Sequence, residues 1–109
     1  MSTARGTAGE LLRQASANGW SVMDTESLRR RGTVLRNRKV VLRRADQVLI
    51  LEYTVTGRLF RHQTFVPGRS EQVYMLAGEV AVRSVIESGS APLNARPVVI
   101  SGPLTVQLY

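Results

Sequence analysis

The sequence predicts an α+β domain with an N-terminal helix, a three- to four-stranded antiparallel meander, a second helix and an extended C-terminal arm. Three observations predict this fold. Residues 38–66 alternate between apolar and polar side chains with a period of two, which is typical of strands. A capping-box pattern precedes an apolar stripe near the N-terminus, and apolar residues after position 70 follow helical spacing. The 109 residues are enough for one domain with a single core.

The first element is a helix with recognisable start and stop signals. Thr7 and Glu10 have the spacing of a capping box, in which each side chain satisfies a free backbone donor at the helix start. The helix should run to about Asn18, where Gly19 supplies a left-handed stop. Trp20 follows directly, and we expect it to anchor the helix to the sheet as a core residue.

The segment between the helix and the meander is polar and basic. Trp20–Met23 is interpreted as a short first strand with Val22 facing inward, and Asp24–Ser27 as the start of a polar loop. Around Gly32, which permits a tight turn, lie Arg29, Arg30, Arg31, Arg36, Arg38 and Lys39. Two interpretations stay open: a hairpin whose arginines follow a nucleic-acid backbone, or a solvated loop beside an edge strand that charge protects from aggregation.

Two turns organise the meander. Ala45-Asp46 and Thr56-Gly57 are each interpreted as a two-residue hairpin turn. On one face the resulting cross-strand pairs are Leu42 with Leu49, Val40 with Leu51, and Tyr53 with Phe60. On the other face Lys39 and Arg61 would flank Glu52 across the central strand. Both turns therefore agree on one ladder of alternating charge.

This register assigns every strand residue to one of two faces. Both helices should cover the face that carries Leu42, Leu51, Tyr53 and Phe60. The opposite face is expected to stay partly open and to be more apolar than a solvated sheet. Its residues are predicted to be Lys39, Arg43, Glu52, Arg61, Gln63, Val41, Ile50, Leu59 and Phe65.

The remaining elements follow Pro67-Gly68, which ends the meander. Ser70 can cap a second helix from Glu71 to about Ser88, although the β-branched residues near its end also fit a strand. The runs 98–100 and 104–106 are β-prone, and they either add an edge strand to the sheet or form an arm for another subunit. We therefore divide the chain into a disordered leader (1–6), the α+β domain (7–88), and a linker with an extended arm (89–109).

Composition excludes several classes of protein. The chain has no cysteine, so disulfides, thiolate metal sites and cysteine nucleophiles are absent. No apolar run reaches the roughly 18–20 residues that cross a bilayer, and a signal-peptide core is lacking, so we expect a cytoplasmic protein with no membrane partner. The net charge is +7. A GC-rich genome explains why Lys39 is the only lysine, but it does not explain why 15 basic residues outnumber 8 acidic ones.

Catalytic chemistry is not indicated. His62 is the only histidine, and the predicted register places it beside Leu51 as a core residue. Metal sites and metal-dependent nucleases need clustered ligands, whereas Asp24 and Glu26 form an isolated pair. A glycine-rich phosphate loop is also lacking. We therefore predict a protein that is not an enzyme and uses no cofactor or metal.

One short segment resembles a known family. GELLRQASANGW, a helix that closes on Asn-Gly-Trp, resembles the start of HicA-type messenger-RNA interferase toxins, whose fold is similar to that of double-stranded-RNA-binding domains. The resemblance covers about the first fifth of the chain and implies a similar packing of helix on sheet. In that family a following glycine-serine-histidine segment supplies the catalytic histidine. The corresponding stretch here, RRRGTVLRN, has none, so the catalytic role does not carry over.

Two functions follow from these observations. The first is non-catalytic binding of DNA or RNA through an interface that would consist of Arg29, Arg30, Arg31, Arg36, Arg38, Lys39, Arg43 and Arg61. The second is an accessory or inhibitory protein of phage origin that binds a host protein or itself. Its interface would consist of Val41, Ile50, Leu59 and Phe65. A homo-oligomer formed through the C-terminal arm belongs to this second hypothesis.

Overall fold

The computed structural model describes residues 6–29, 32, 36–68 and 72–98. Within them the chain is an α+β fold, as predicted, with two helices and six strands in place of the three or four expected. The elements are α1 (Gly6–Ala17), β1 (Ser21–Arg29), β2 (Arg36–Arg44), β3 (Gln47–Tyr53), β4 (His62–Val66), β5 (Val73–Ala77), α2 (Glu79–Ser88) and β6 (Arg96–Val98). The strands form one antiparallel sheet in the order β1-β2-β3-β4-β5-β6. No helix in this part of the chain could span a membrane.

Both helices pack on one face of the sheet and enclose the core. The core contains residues from both helices, from β2 to β5, and Trp20 from the connection between α1 and β1. Its members are Leu11, Ala15, Trp20, Val40, Leu42, Leu49, Leu51, Phe65, Leu76, Val82, Val85 and Ile86. Between the helices, Nη1 of Arg83 donates to Oε1 of Gln14 at 2.8 Å. Burial of this apolar surface is the main stabilising term of the domain.

Trp20 is a core residue, as predicted, and packs with residues of the sheet; it also joins α1 to α2. Its side chain is buried, and its indole N–H donates to the carbonyl oxygen of Ile86 at 3.1 Å. Gly19 has a φ of 89° and ends α1 at the predicted place. The capping box predicted at the other end is wrong, because α1 begins at Gly6 and Thr7 lies inside the helix. The hydroxyl of Thr7 donates to Oε1 of Glu79 at 3.2 Å and so ties α1 to α2.

β1 is longer than predicted. Ser21–Arg29 forms one strand with a bulge between Val22 and Asp24, so the polar loop predicted at Asp24–Ser27 is wrong. Cross-strand pairing with β2 stabilises this polar sequence despite its weak apolar alternation. The inward orientation predicted for Val22 is also wrong, since 56% of its surface is exposed.

The first hairpin of the meander is confirmed. Residues 45 and 46 form the turn between β2 and β3, and Ala45 has a left-handed φ of 54°. The pairs Leu42 with Leu49, Val40 with Leu51 and Lys39 with Glu52 all occur as predicted.

The register predicted for the second hairpin is wrong by one residue. β3 pairs with β4 through Leu49 and Phe65, because residues 54–61 form a loop longer than a two-residue turn. A shift of one residue exchanges the two faces of a strand. Phe65 is therefore buried in the core, His62 is exposed, and Arg61 does not lie opposite Glu52.

A glutamine side chain explains where the ladder changes. Gln63 is buried, and its Oε1 accepts the backbone N–H of Glu52 at 2.5 Å. Beyond this point the N–H of Phe60 donates to the carbonyl oxygen of Glu52 at 2.9 Å, and Tyr53 forms an isolated bridge with Leu59. The amide thus takes the position of a backbone acceptor, so the predicted placement of Gln63 on the open face is wrong.

The second predicted helix is divided between a strand and a helix. Val73–Ala77 is β5, and α2 begins only at Glu79, after Gly78 with a φ of 94°. Pairing with β4 and β6 stabilises the first half as a strand. The β-branched residues near the end are helical, and α2 ends near the predicted position with a left-handed Gly89. Ser70 and Glu71 lie outside the described residues.

Of the two alternatives for the C-terminal runs, an edge strand on the same sheet holds for Arg96–Val98. This strand begins earlier than the predicted run and pairs with β5. The other predicted β-prone residues, including 104–106, lie outside the described part of the chain.

Candidate nucleic-acid interface

The β1-β2 hairpin extends past the neighbouring strands at one end of the sheet. β2 pairs with β1 as far as Arg36, opposite Arg29, whereas its pairing with β3 stops at Arg38, opposite Tyr53. The loop of residues 54–61 between β3 and β4 lies at the same end. We call this region the arginine end, because its exposed arginines are Arg36, Arg38, Arg58 and Arg61.

Arg36 and Arg38 project from the same face of β2 as Val40 and Leu42. The helices cover this face at Val40 and Leu42. The two arginines share the two-residue period of Val40 and Leu42, which are buried, yet both arginines are exposed. Nε of Arg36 donates to Oγ of Ser27 on β1 at 3.2 Å. This bond uses one of the five N–H donors of a guanidinium group.

Arg58 and Arg61 are held by the loop. The N–H of Thr54 donates to the carbonyl oxygen of Arg58 at 2.8 Å, which fixes the backbone there. The guanidinium carbon of Arg61 lies 4.7 Å from the centre of the Phe60 ring, within cation–π distance. Arg58 was absent from the predicted interface, since the predicted two-residue turn gave no reason to place it beside β2.

The tip of the hairpin is described only in part. Arg29 pairs with Arg36 in the backbone register, and Arg30 and Arg31 lie outside the described residues. Gly32 has a φ of 78°, a conformation that glycine adopts without strain.

Lys39 and Arg43 belong to a different surface from Arg36 and Arg38. They project from the face of β2 that the helices do not cover, because they alternate with the buried residues. Lys39 has Glu26 on one side and Glu52 on the other as cross-strand partners. Nε of Arg43 donates to the carbonyl oxygen of Ala45 at 3.0 Å. The predicted set therefore does not form one patch.

Ion pairs between described residues involve a single arginine, Arg83. Between described residues, the ion pairs are those of Arg83 with Glu10, at 3.2 Å, and with Glu79. The hydrogen bond from Arg83 is the main reason why the pKa of Glu79 is lowered, and the same bond raises the pKa of Arg83. None of the four arginines at the arginine end has a described carboxylate within ion-pair distance.

A groove opens beside Arg38. It has a volume of about 440 Å³ and lies between the first turns of α1 and the loop after β3. Its lining consists of Ala8, Gly9, Leu12, Arg38, Tyr53, Thr54, Val55, Thr56 and Gly57. The lining is apolar apart from Arg38 and the hydroxyl groups, and a volume of this size falls in the range of about 300–1,000 Å³ typical of small-ligand sites.

His62 is not the core residue that the predicted register required. It is exposed and lines a smaller cavity of about 270 Å³ together with Met75, Ala77, Ala81, Asn94, Ala95 and Arg96. Within the described ranges, no group of three or more histidine, aspartate or glutamate side chains could hold a metal ion.

The face of the sheet that neither helix covers, which we call the open face, is apolar across its middle. One continuous row of cross-strand partners consists of Asp24, Val41, Ile50, Thr64, Met75 and Arg96. In the next row lie Val48 and Val66, which are also partners. Ile50, in the middle of this face, is only 7% exposed.

Two of the four residues predicted for a protein interface lie on the open face, namely Val41 and Ile50. The other two placements are wrong. Phe65 has no exposed surface, and Leu59 packs against the core, since the register of β4 differs by one residue from the predicted one.

No protein-family model, curated protein or solved structure matches this chain. The resemblance of the first helix to interferase toxins therefore gains no support from these comparisons.

Proposed function

We propose that this protein binds nucleic acid without catalysing a reaction on it, and that phosphates bind at the arginine end. One observation supports this proposal above the others. Arg36, Arg38, Arg58 and Arg61 are exposed at one end of the sheet, and no described carboxylate pairs with them. The planar guanidinium group donates two parallel hydrogen bonds to a phosphate, which makes a cluster of exposed arginines suited to a phosphate backbone.

The net charge of the chain adds to this argument. At +7, it draws a polyanion toward the protein before contact.

The test compares two double variants with the same change in charge. In the first, Arg36 and Arg38 are replaced by Ala; in the second, Arg43 and Arg96, which are exposed elsewhere, are replaced by Ala. Binding to single- and double-stranded DNA and RNA is measured over a range of salt concentrations. The first variant should reduce the slope of log affinity against log salt by about 0.7 for each contact with a single strand, or by about 1.4 for two contacts.

The control variant should lose less slope, because its arginines lie on two separate elements, β2 and β6. Both variants should keep the wild-type melting temperature, since exposed substitutions usually change stability by less than about 0.5 kcal/mol each. If the two variants lost affinity and salt slope equally, binding would depend on net charge alone, which would contradict a localised site. A wild-type protein that binds no nucleic acid would contradict the proposal as a whole.

A second candidate function is self-association through the open face. The row from Asp24 to Arg96 has an apolar middle, an acid at the β1 edge and a base at the β6 edge. Two copies packed face to face about a two-fold axis parallel to the strands would place Asp24 of each copy opposite Arg96 of the other. Sheets commonly stack in this way, about 10 Å apart.

Light scattering after gel filtration tests this candidate. A dimer should persist at high salt, because apolar burial is insensitive to salt compared with phosphate binding. Thr64→Arg, in the middle of the row, should give a folded monomer. A wild-type protein that is monomeric at all concentrations would contradict self-association, and the open face would then be available only to a different protein.

A further inference from the structure

We infer that the groove beside Arg38 holds an unstacked nucleobase, so that the ligand of the arginine end is single-stranded nucleic acid. This inference rests on the proposed function and specifies its ligand. A base in a duplex is stacked and paired on both sides, and it cannot enter a groove without leaving the helix. A single strand presents its bases at little cost.

The floor of the groove has the apolar and aromatic character that a base requires. Ala8 and Leu12 come from α1, and Tyr53 comes from the end of β3. Tyr53 and Leu12 are both partly buried and pack against the core, so their positions are fixed before a ligand arrives. An aromatic ring held in this way offers a stacking surface that accepts any base, because every base has a π face.

The wall of the groove is also fixed in advance. The N–H of Ala8 donates to the carbonyl oxygen of Gly57 at 2.8 Å, which joins α1 to the loop after β3. Within the loop, the N–H of Gly57 donates to the carbonyl oxygen of Thr54 at 2.9 Å, and the hydroxyl groups of Thr54 and Thr56 lie 2.9 Å apart. A groove formed in advance binds its ligand with a smaller loss of conformational entropy.

Charge selects a nucleotide over an uncharged apolar ligand. Arg38 is part of the lining, and its cross-strand partner is Tyr53. The groove therefore combines an aromatic surface with a neighbouring cation, which matches a base and its phosphate. Arg36 lies one pleat further along the same face of β2, so it can contact the next phosphate of a strand whose base occupies the groove.

Gly9 provides a test that leaves every arginine in place. A β-carbon built at Gly9 would meet only Nη1 of Arg13, at 3.7 Å, which is ordinary van der Waals contact. Gly9 lies inside α1 and lines the groove, so Gly9→Leu should fill the groove without disturbing the backbone, and leucine is also the better helix former. Ser16→Leu is the matched control, since it adds the same side chain two turns along α1 at an exposed position outside the groove.

Affinities are measured for oligothymidylate, oligouridylate and a duplex of the same length, with circular dichroism as the check on folding. The wild type should bind at least one single strand more tightly than the duplex. Gly9→Leu should weaken that binding roughly 5- to 150-fold, the range that loss of one stacked base spans, and leave the salt slope unchanged. Ser16→Leu should behave as the wild type. The affinities for the two single strands show whether the protein binds DNA or RNA more tightly.

A second readout uses 2-aminopurine in the oligonucleotide, whose fluorescence should fall when the base stacks on Tyr53 and should stay high with Gly9→Leu. A wild type that binds single strands and duplex equally, with no effect of Gly9→Leu, would overturn this inference and leave the proposed function standing. A wild type that binds none of the three probes would overturn both.

Discussion

Arg43 and Arg44 are adjacent in sequence and have different roles in the structure. Arg43 is exposed on the open face. The guanidinium of Arg44 lies 4.8 Å from the centre of the Trp20 ring, and its Nη1 donates to the carbonyl oxygens of Asn18, at 3.0 Å, and Ile86, at 3.2 Å. Arg44 therefore satisfies carbonyl groups near the ends of both helices and covers the indole, so this arginine stabilises the fold and is not free for a ligand.

This contrast predicts different effects of two neighbouring substitutions. Arg44→Ala should lower the free energy of unfolding by about 1–3 kcal/mol, because it removes the donor to the carbonyl oxygen of Asn18, one of two donors to that of Ile86, and the cation over the Trp20 ring. Arg43→Ala should change it by less than about 0.5 kcal/mol. Urea denaturation monitored by the fluorescence of Trp20 measures both. Equal effects would show that the contacts of Arg44 contribute nothing to stability.

At the scale of elements, the sequence predicted strand register correctly where the connecting turn is short and incorrectly where the connection is a longer loop. The hairpin at Ala45-Asp46 is tight, so the period of two on either side specified its register. The loop after β3 is longer, and the side chain of Gln63 replaces a backbone acceptor there. The alternation of apolar and polar residues cannot indicate such a replacement. A register shift of one residue was enough to place Phe65 in the core and His62 on the exposed face. β5 was missed because Leu76 and Ala77 also fit the helical spacing that α2 continues.

The register of β4 predicts which of its side chains carries stability. Phe65→Ala should lower the free energy of unfolding by about 3–5 kcal/mol, as expected for an aromatic residue removed from a core. His62→Ala should change it by less than about 0.5 kcal/mol, because His62 is exposed. Thermal and urea denaturation of the two variants give the comparison. The opposite order of effects would restore the register that a two-residue turn at Thr56-Gly57 requires.

The contact between α1 and α2 predicts a dependence on pH. Arg83 lowers the pKa of Glu79 below its value of 4.5 in the unfolded chain, so the pair stabilises the fold above that pH. This contribution should be lost as the pH falls through the lowered pKa of the folded state. Because both side chains are partly exposed, it should amount to no more than about 1 kcal/mol.

Glu79→Gln is the matched variant for this contact. At neutral pH it should be slightly less stable than the wild type, and the difference should shrink to nothing in strong acid, where the wild-type carboxylate is also neutral. Denaturation of both proteins over this pH range measures the difference. A difference that is independent of pH would assign the effect to packing and not to charge.

At the scale of the whole molecule, the sequence predicted an excess of positive charge but not its distribution. Arg36 and Arg38 were identified because they lie in one basic run. Lys39 belongs to the same run, yet β-strand alternation turns it to the other face, between Glu26 and Glu52. Arg58 is distant in sequence, and only the fold brings its loop to the end of the sheet where β1 and β2 project. The groove likewise combines α1 with the loop after β3, a contact between distant parts of the chain that local patterns do not specify.

The location of the binding surface is the central claim, and mapping by nuclear magnetic resonance tests it most directly. Unlabelled oligonucleotide is added to nitrogen-15-labelled protein at an ionic strength of about 0.15 M, where exposed charges are screened as they are in cells. The account predicts that the largest amide shifts occur at Arg36, Arg38, Gly57 and Arg58, while Val48 and Val66 on the open face stay unchanged. Largest shifts on the open face, or no shifts at saturating oligonucleotide, would contradict it.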